Sequence, residues 1–154
     1  MAEIERKFRL SSAPHEIKTI PGVLVRQGYL YFDEEVELRL REKEGKYFMT
    51  CKSGDSLIRE EWEVEIPFWV FGGLWFKTRS VRIEKRRYVI DGPDGLKFEI
   101  DIYLGSLRGL VILEVEFPDE KTARKFKLPK EYNAIEVTED ERYKNVHLAI
   151  FGIP

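Results

Sequence analysis

The stretch EIERKF, residues 3–8, places Glu3, Glu5 and Lys7 on one parity and Ile4, Arg6 and Phe8 on the other. Such alternation fits an extended strand, whose successive side chains point to opposite faces. A first strand is expected over about residues 2–10, with two carboxylates and an amine on one face. The fold depends on whether later strands share that chemistry.

They do. Period-two segments recur at residues 23–32, 35–43, 46–53, 57–66, 80–90, 96–104 and 110–117. Turn residues separate several of them: Asp33-Glu34, Gly45, Gly54-Asp55 and Pro93-Asp94-Gly95. Residues Val36, Leu38 and Leu40 alternate with Glu37, Arg39 and Arg41. Ile58, Trp62, Val64 and Ile66 oppose Arg59, Glu61, Glu63 and Glu65. Tyr47, Met49 and Cys51 oppose Phe48, Thr50 and Lys52. Phe98, Ile100 and Ile102 oppose Glu99 and Asp101, and Leu113 and Val115 oppose Glu114 and Glu116. The segment 80–90 is less regular. Lys85 and Arg87 share a parity with Val81 and Ile83, and Arg82 takes the other.

Helices are expected to be few and short. PFWVFGGLWFKT, from Pro67, is apolar all round and suggests a mostly buried helix that adds to the outer core. Residues 118–126 suggest an amphipathic helix begun by Pro118. TEDE at 138–141 has the form of a capping box, with Thr138 capping and Glu141 answering, and starts a last helix through about residue 149. The total is about eight strands, mostly joined by short antiparallel connections, in one domain over residues 1–154.

Two architectures accommodate this pattern. A sheet could wet its charged face. Alternatively, a closed barrel could turn its charged parity inward. The charged parity holds almost no Ser, Asn or Gln, and short helices alone cannot cover eight apolar strand faces. An interior of mixed charge is costly unless it pairs or binds something charged. A lining of carboxylates and cations in similar number would suit a polyanion with divalent cations.

Composition narrows the class. Across 154 residues, 43% are hydrophobic and 35% charged, with a net charge of −2, which offers no general attraction to nucleic acid or an anionic membrane. One cysteine, Cys51, excludes an intrachain disulfide, and with two histidines it cannot build a zinc cluster. No signal peptide or apolar spanning run is visible. A cytoplasmic protein is expected, monomeric or homodimeric.

EIERKF resembles the E-x-E-x-K signature of the CYTH superfamily, the triphosphate tunnel metalloenzymes. ELRLR (37–41), FMTCKSG (48–54), REEWEVEI (59–66), IEKRRY (83–88), FEIDIY (98–103), LEVEF (113–117) and EVTEDERYKN (136–145) follow in the family's order. The resemblance implies a mainly β fold: an eight-stranded antiparallel barrel, or tunnel, with a charged lumen, a few short outer helices and a C-terminal helix near one end. It implies metal-dependent hydrolysis of inorganic triphosphate. Alternatives are an organic triphosphate enzyme of the family, such as a class IV adenylate cyclase or a nucleoside or thiamine triphosphatase, or a non-catalytic polyphosphate binder.

The same resemblance makes Glu3 and Glu5 metal ligands and Lys7 a phosphate contact. Lys7, Arg39, Arg41, Lys52, Lys85 and Arg87 are the candidates for clamping phosphates, arginine by forking across two oxygens and lysine as a point charge. Arg59 and Tyr29 join them as substrate contacts, with Gln27 beside Tyr29. Glu3, Glu5 and Glu116 are the first choice for Mg²⁺ or Mn²⁺, which favour oxygen ligands. Glu114, Asp101, Glu61 and Glu63 follow, each able to hold a second ion or to polarise the attacking water. Glu114, with Lys7, Lys85 and Arg87, makes up the expected catalytic set. Otherwise these side chains are cross-strand ion pairs.

Overall fold

The computed structural model describes residues 2–154, in which nine antiparallel strands form one sheet. In chain order they are β1 (Ala2–Leu10), β2 (Val23–Phe32), β3 (Val36–Lys43), β4 (Lys46–Gly54), β5 (Ile58–Ile66), β6 (Arg82–Asp91), β7 (Lys97–Tyr103), β8 (Val111–Glu116) and β9 (Ala134–Glu136). Three short helices accompany them: α1 (Phe68–Trp75), α2 (Glu120–Lys125) and α3 (Asn145–Phe151). The spatial order is β5-β4-β3-β2-β6-β7-β8-β1, and a β5–β1 pairing closes it into an eight-stranded barrel. Closure leaves the charged parity facing inward.

Local chemistry sets the hairpins. Glu44 and Gly45 link β3 to β4 with φ of 52° and 73°, the two positive angles of a type I′ turn. Asp33 Oδ1 accepts from the backbone N–H groups of Glu35 and Val36, each at 2.8 Å, and so turns β2 into β3. Asp55 does the same for Leu57 and Ile58.

Strand β1 is shared. On one edge, residues 5–10 pair with 111–116 of β8. On the other, residues 2–4 pair with 58–60 of β5, and residues 8–10 pair with 134–136 of β9. The barrel is thus joined at the β1–β5 seam over three positions, and β9 takes the edge that β5 leaves. Strand β9 left no mark in the periodicity, because three residues are too few to show one.

Apolar side chains of β1, β7 and β8 pack under the segment after β8. Phe8, Phe98, Leu113, Val115 and Phe117 are buried there, and Phe126 meets the Phe8, Phe98 and Phe117 rings with centroids 6.5, 6.1 and 5.3 Å away. A second cluster seals one end of the barrel. It joins inward-facing Ile83, Tyr103 and Ile112 to Val137, Tyr143 and Leu148 of the C-terminal segment. The lumen is therefore a cup.

Three local expectations are corrected. Helix α1 forms, but Phe68 is 71% exposed, Trp69 69% and Phe76 66%, so it is not mostly buried. Only the Phe71 and Trp75 side faces the barrel, and no second layer covers the other side. The cap of α2 is Asp119, whose carboxylate accepts from Thr122 N at 2.6 Å, one residue beyond Pro118. The capping box at 138–141 does not form. Thr138 Oγ1 instead accepts from the β1 backbone at Lys7 N, 3.0 Å away, and donates to Glu136 at 2.6 Å. The chain then makes a 3-10 turn at Glu141–Tyr143, and α3 starts only at Asn145.

Candidate functional site

A cavity of about 220 Å³ opens inside the barrel. Its wall gathers Glu3, Glu5 and Lys7 from β1, Tyr29 from β2, Arg39 and Arg41 from β3, Lys52 from β4, Arg59, Glu61 and Glu63 from β5, Arg87 from β6, and Glu114 and Glu116 from β8. Thirteen of the sixteen residues singled out from the sequence thus share one space. The three that do not are Gln27, Lys85 and Asp101, which are fully buried.

The wall also includes Glu37, Lys43, Glu99 and Asn145, which sequence reasoning did not nominate. Three of these lie on the lumen parity of their strands, and parity alone was the available signal. Asn145 arrives from the start of α3, where its Oδ1 accepts from Tyr103 OH at 2.5 Å, and no strand pattern could place it. Arg82 points outward: its guanidinium lies 4.3 Å over the Trp75 ring and donates to Trp75 O at 2.8 Å.

Strand order sorts charge around the lumen. The β3, β2 and β6 side carries Arg39, Arg41 and Arg87. The β7, β8 and β1 side carries Glu99, Glu114, Glu116, Glu5 and Glu3. Register sharpens this, because Glu5 stands directly opposite Glu116, and Glu99 opposite Glu114. Like charges in that position repel.

Some of the charge is already paired. Lys52 Nζ lies 2.9 Å from Glu3 Oε1, Arg59 3.3 Å from Glu37, and Lys7 Nζ 3.8 Å from Glu114. Arg87 is the most constrained cation. It donates twice to Asp101, at 2.7 and 2.8 Å, and once to Glu99 at 2.8 Å. Below it, Lys85 Nζ donates to Asp101 Oδ2 at 2.7 Å. Burial alone would raise the Asp101 carboxyl, but Arg87 and Lys85 together hold it well below the usual carboxylate range.

Other charge is unspent. Among the described residues, Glu5, Glu61 and Glu116 make no ion pair, and neither Arg39 nor Arg41 has a carboxylate partner. The Nε atoms of Arg39 and Arg59 are buried with no hydrogen-bond acceptor. Arg41 leans on the neutral Gln27 Oε1, at 3.0 and 3.2 Å. Burial, then Arg39 and Arg87, lowers Arg41 to about 9. Burial, then Glu3 and Glu5, raises the Glu116 carboxyl. With cations that lack a carboxylate partner on one wall and carboxylates that lack a cation partner on the other, the site could take up a polyanion accompanied by a cation.

The acidic wall fits a hard divalent ion in a particular way. Among the described residues, no three His, Cys, Asp or Glu side chains converge to enclose an ion by themselves. An ion near Glu3, Glu5 and Glu116 would complete its shell with water and phosphate oxygens, which is the habit of Mg²⁺.

A family model described as CYTH domain matches residues 1–146. The inorganic triphosphatase of Nitrosomonas europaea is 45% identical over 152 residues, covering 97% of this chain and 98% of that protein. The inorganic triphosphatase of Acetivibrio thermocellus is 38% identical over 148 residues, 95% and 92% of the two chains. A solved inorganic triphosphatase structure superposes with a TM-score of 0.71 at 43% identity, covering 99% of this chain and 96% of the other.

Proposed function

The chain belongs to the CYTH domain family, and from that premise we propose that it hydrolyses inorganic triphosphate to diphosphate and phosphate inside the barrel, with Mg²⁺ or Mn²⁺ bound. The observation that carries this reading is the unspent charge: Arg39, Arg41 and the Arg59 Nε on one hand, Glu5 and Glu116 on the other. The relatives' activity supports it. Size supports the inorganic substrate. About 220 Å³ is some seven water volumes, below the roughly 300–1,000 Å³ of an ordinary small-molecule pocket.

In this mechanism Arg39 and Arg41 grip the equatorial oxygens, with Lys7, Lys52 and Arg59 adding point and forked contacts. Arg87 presents what its carboxylate anchors leave free, held in orientation by Asp101 and Glu99. Lys85 does not touch the substrate; it acts through Asp101, as a positioning residue. Glu114 sits between Lys7 at 3.8 Å and Arg87 at 3.7 Å, contacts too long to use up its lone pairs, and it orients the attacking water. Glu3, Glu5 and Glu116 hold the divalent ion, which when bound neutralises charge on the phosphate oxygens.

Phosphate release should be measured from tripolyphosphate, ATP, GTP and thiamine triphosphate, each with Mg²⁺ or Mn²⁺ and with chelator. Turnover is expected with tripolyphosphate and metal, and chelator should abolish it. Faster release from ATP would refute the substrate assignment, and full turnover in excess chelator would refute the metal. Tight tripolyphosphate binding without turnover under any metal would leave a binding protein.

A further inference from the structure

We propose that the outer face of α1 is a docking surface for a second copy of this chain, with the two helices crossing antiparallel. The helix has one satisfied side. Phe71 and Trp75 stack with centroids 4.9 Å apart, and Phe71 meets Tyr47 of β4 at 4.7 Å. The backbone stays helical past Trp75, with Phe76 at φ −57° and ψ −33°. Trp69, Gly72, Gly73 and Phe76 therefore line the opposite side, by spacings of three and four.

That side is large, apolar and open. Trp69 is 69% and Phe76 66% exposed. Residues 67–76 carry no charge. A Cβ added at Gly72 or Gly73 would meet nothing within 4 Å, so the chain's own packing does not require either glycine. Apart from proline, glycine is the least favourable residue in a helix interior. Two adjacent glycines here make a notch between two aromatic knobs.

The order aromatic, glycine, glycine, aromatic at 69, 72, 73 and 76 is the same in both directions. An antiparallel partner with its two-fold axis between the glycines puts Trp69 against Phe76 of the other copy at each end and glycine against glycine in the middle. Such self-complementarity is what a two-fold contact needs. The two rings expose on the order of 300 Å². Trp62 and Val64, on the outer face of β5 just before α1, extend the apolar area. The total lies below the roughly 800 Å² per partner of a standard interface, which fits a concentration-dependent dimer. A lipid surface fits less well. The nearby cations Arg79 and Arg82 are laid on the Phe76 and Trp75 rings, each at 4.3 Å, and are not presented together beside the helix.

Sedimentation equilibrium of the full chain tests this. The weight-average mass should rise toward two chains with concentration. Trp69→Glu and, separately, Gly73→Leu should each weaken association at least about tenfold. Far-UV dichroism and the melting temperature should certify their folds, and tripolyphosphate turnover per chain should stay unchanged. In a Cys51→Ser background, Gly72→Cys should form a chain-to-chain disulfide on oxidation. A monomer at every concentration would overturn the proposal. So would a dimer insensitive to both substitutions, or Trp69-dependent binding to phosphatidylglycerol vesicles without self-association. None of these outcomes bears on the barrel chemistry.

Discussion

At the scale of residues, placement in the lumen does not mean one kind of role. Glu5 faces Glu116, and among the described residues neither makes an ion pair, so Glu5→Gln should abolish turnover yet leave the metal-free melting temperature equal or higher. A large fall would make Glu5 structural. Asp101 is the opposite case. Asp101→Ala strands Arg87 and buried Lys85 without their shared anion and should cost about 3–5 kcal/mol, read as a lower urea midpoint at unchanged slope. Lys85→Ala should likewise disturb the empty fold, because Lys85 is fully buried on that carboxylate. Sequence parity put Lys85 on the inward face of β6 but could not say that it would be fully buried on Asp101, outside the cavity that Arg87 lines. Depth inside a barrel depends on register, which alternation does not encode. Glu116 supplies the pH dependence. Its folded pKa lies above the ordinary 4.5, so the empty native state keeps a proton that the unfolded chain has lost. Its contribution to stability therefore falls as pH rises from about 4.5 through the raised value. A metal must displace that proton. Mn²⁺ affinity should rise with pH across the same window, with proton release detectable by calorimetry in buffers of different ionisation enthalpy. Buffer-independent heats would remove Glu116 from the metal site.

At the scale of elements, the strands were legible and the helices less so. Most barrel strands announced themselves because one face is apolar and the other charged, while β2 and β6 showed that contrast less cleanly. Helix α1 also announced itself, but an all-apolar run does not reveal whether one side or two will be covered. The C-terminal segment was misjudged because Thr138 has two possible uses, and bonding to β1 at Lys7 won over capping a helix. That segment is more than a cover. It supplies Tyr143 and Leu148 to the cluster that closes the cup, Tyr143 O accepts from Lys7 Nζ at 3.2 Å, and Tyr143 OH accepts from Arg9 at 2.6 Å. Leu148→Ala should therefore cost about 2–5 kcal/mol. If α3 were a loose surface helix, a thermal melt of this variant would match the parent.

At the scale of the whole molecule, the barrel gathers charge that no single strand can tolerate alone. A ligand that completes the balance should stabilise the fold, by about 2.7 kcal/mol at a hundredfold excess over its dissociation constant. For a chain of this size that is a rise in melting temperature of roughly 5–10 °C. Tripolyphosphate with Mg²⁺ should produce it and monophosphate should not, because only the longer anion spans Arg39, Arg41 and Arg87. Equal small shifts for both, erased by modest salt, would indicate surface screening instead. The shared edge of β1 has a further consequence, which concerns time. Glu5 pairs with Glu116 and Phe8 with Glu136, each roughly a hundred or more positions later. A growing chain therefore carries β1 for most of its synthesis without its principal neighbours, and closure must await one of the most distant encounters in the fold. A lone strand in that interval risks joining another chain. The charges of Glu3, Glu5 and Lys7 would oppose that joining, so the residues proposed for chemistry in the finished barrel would guard its assembly first.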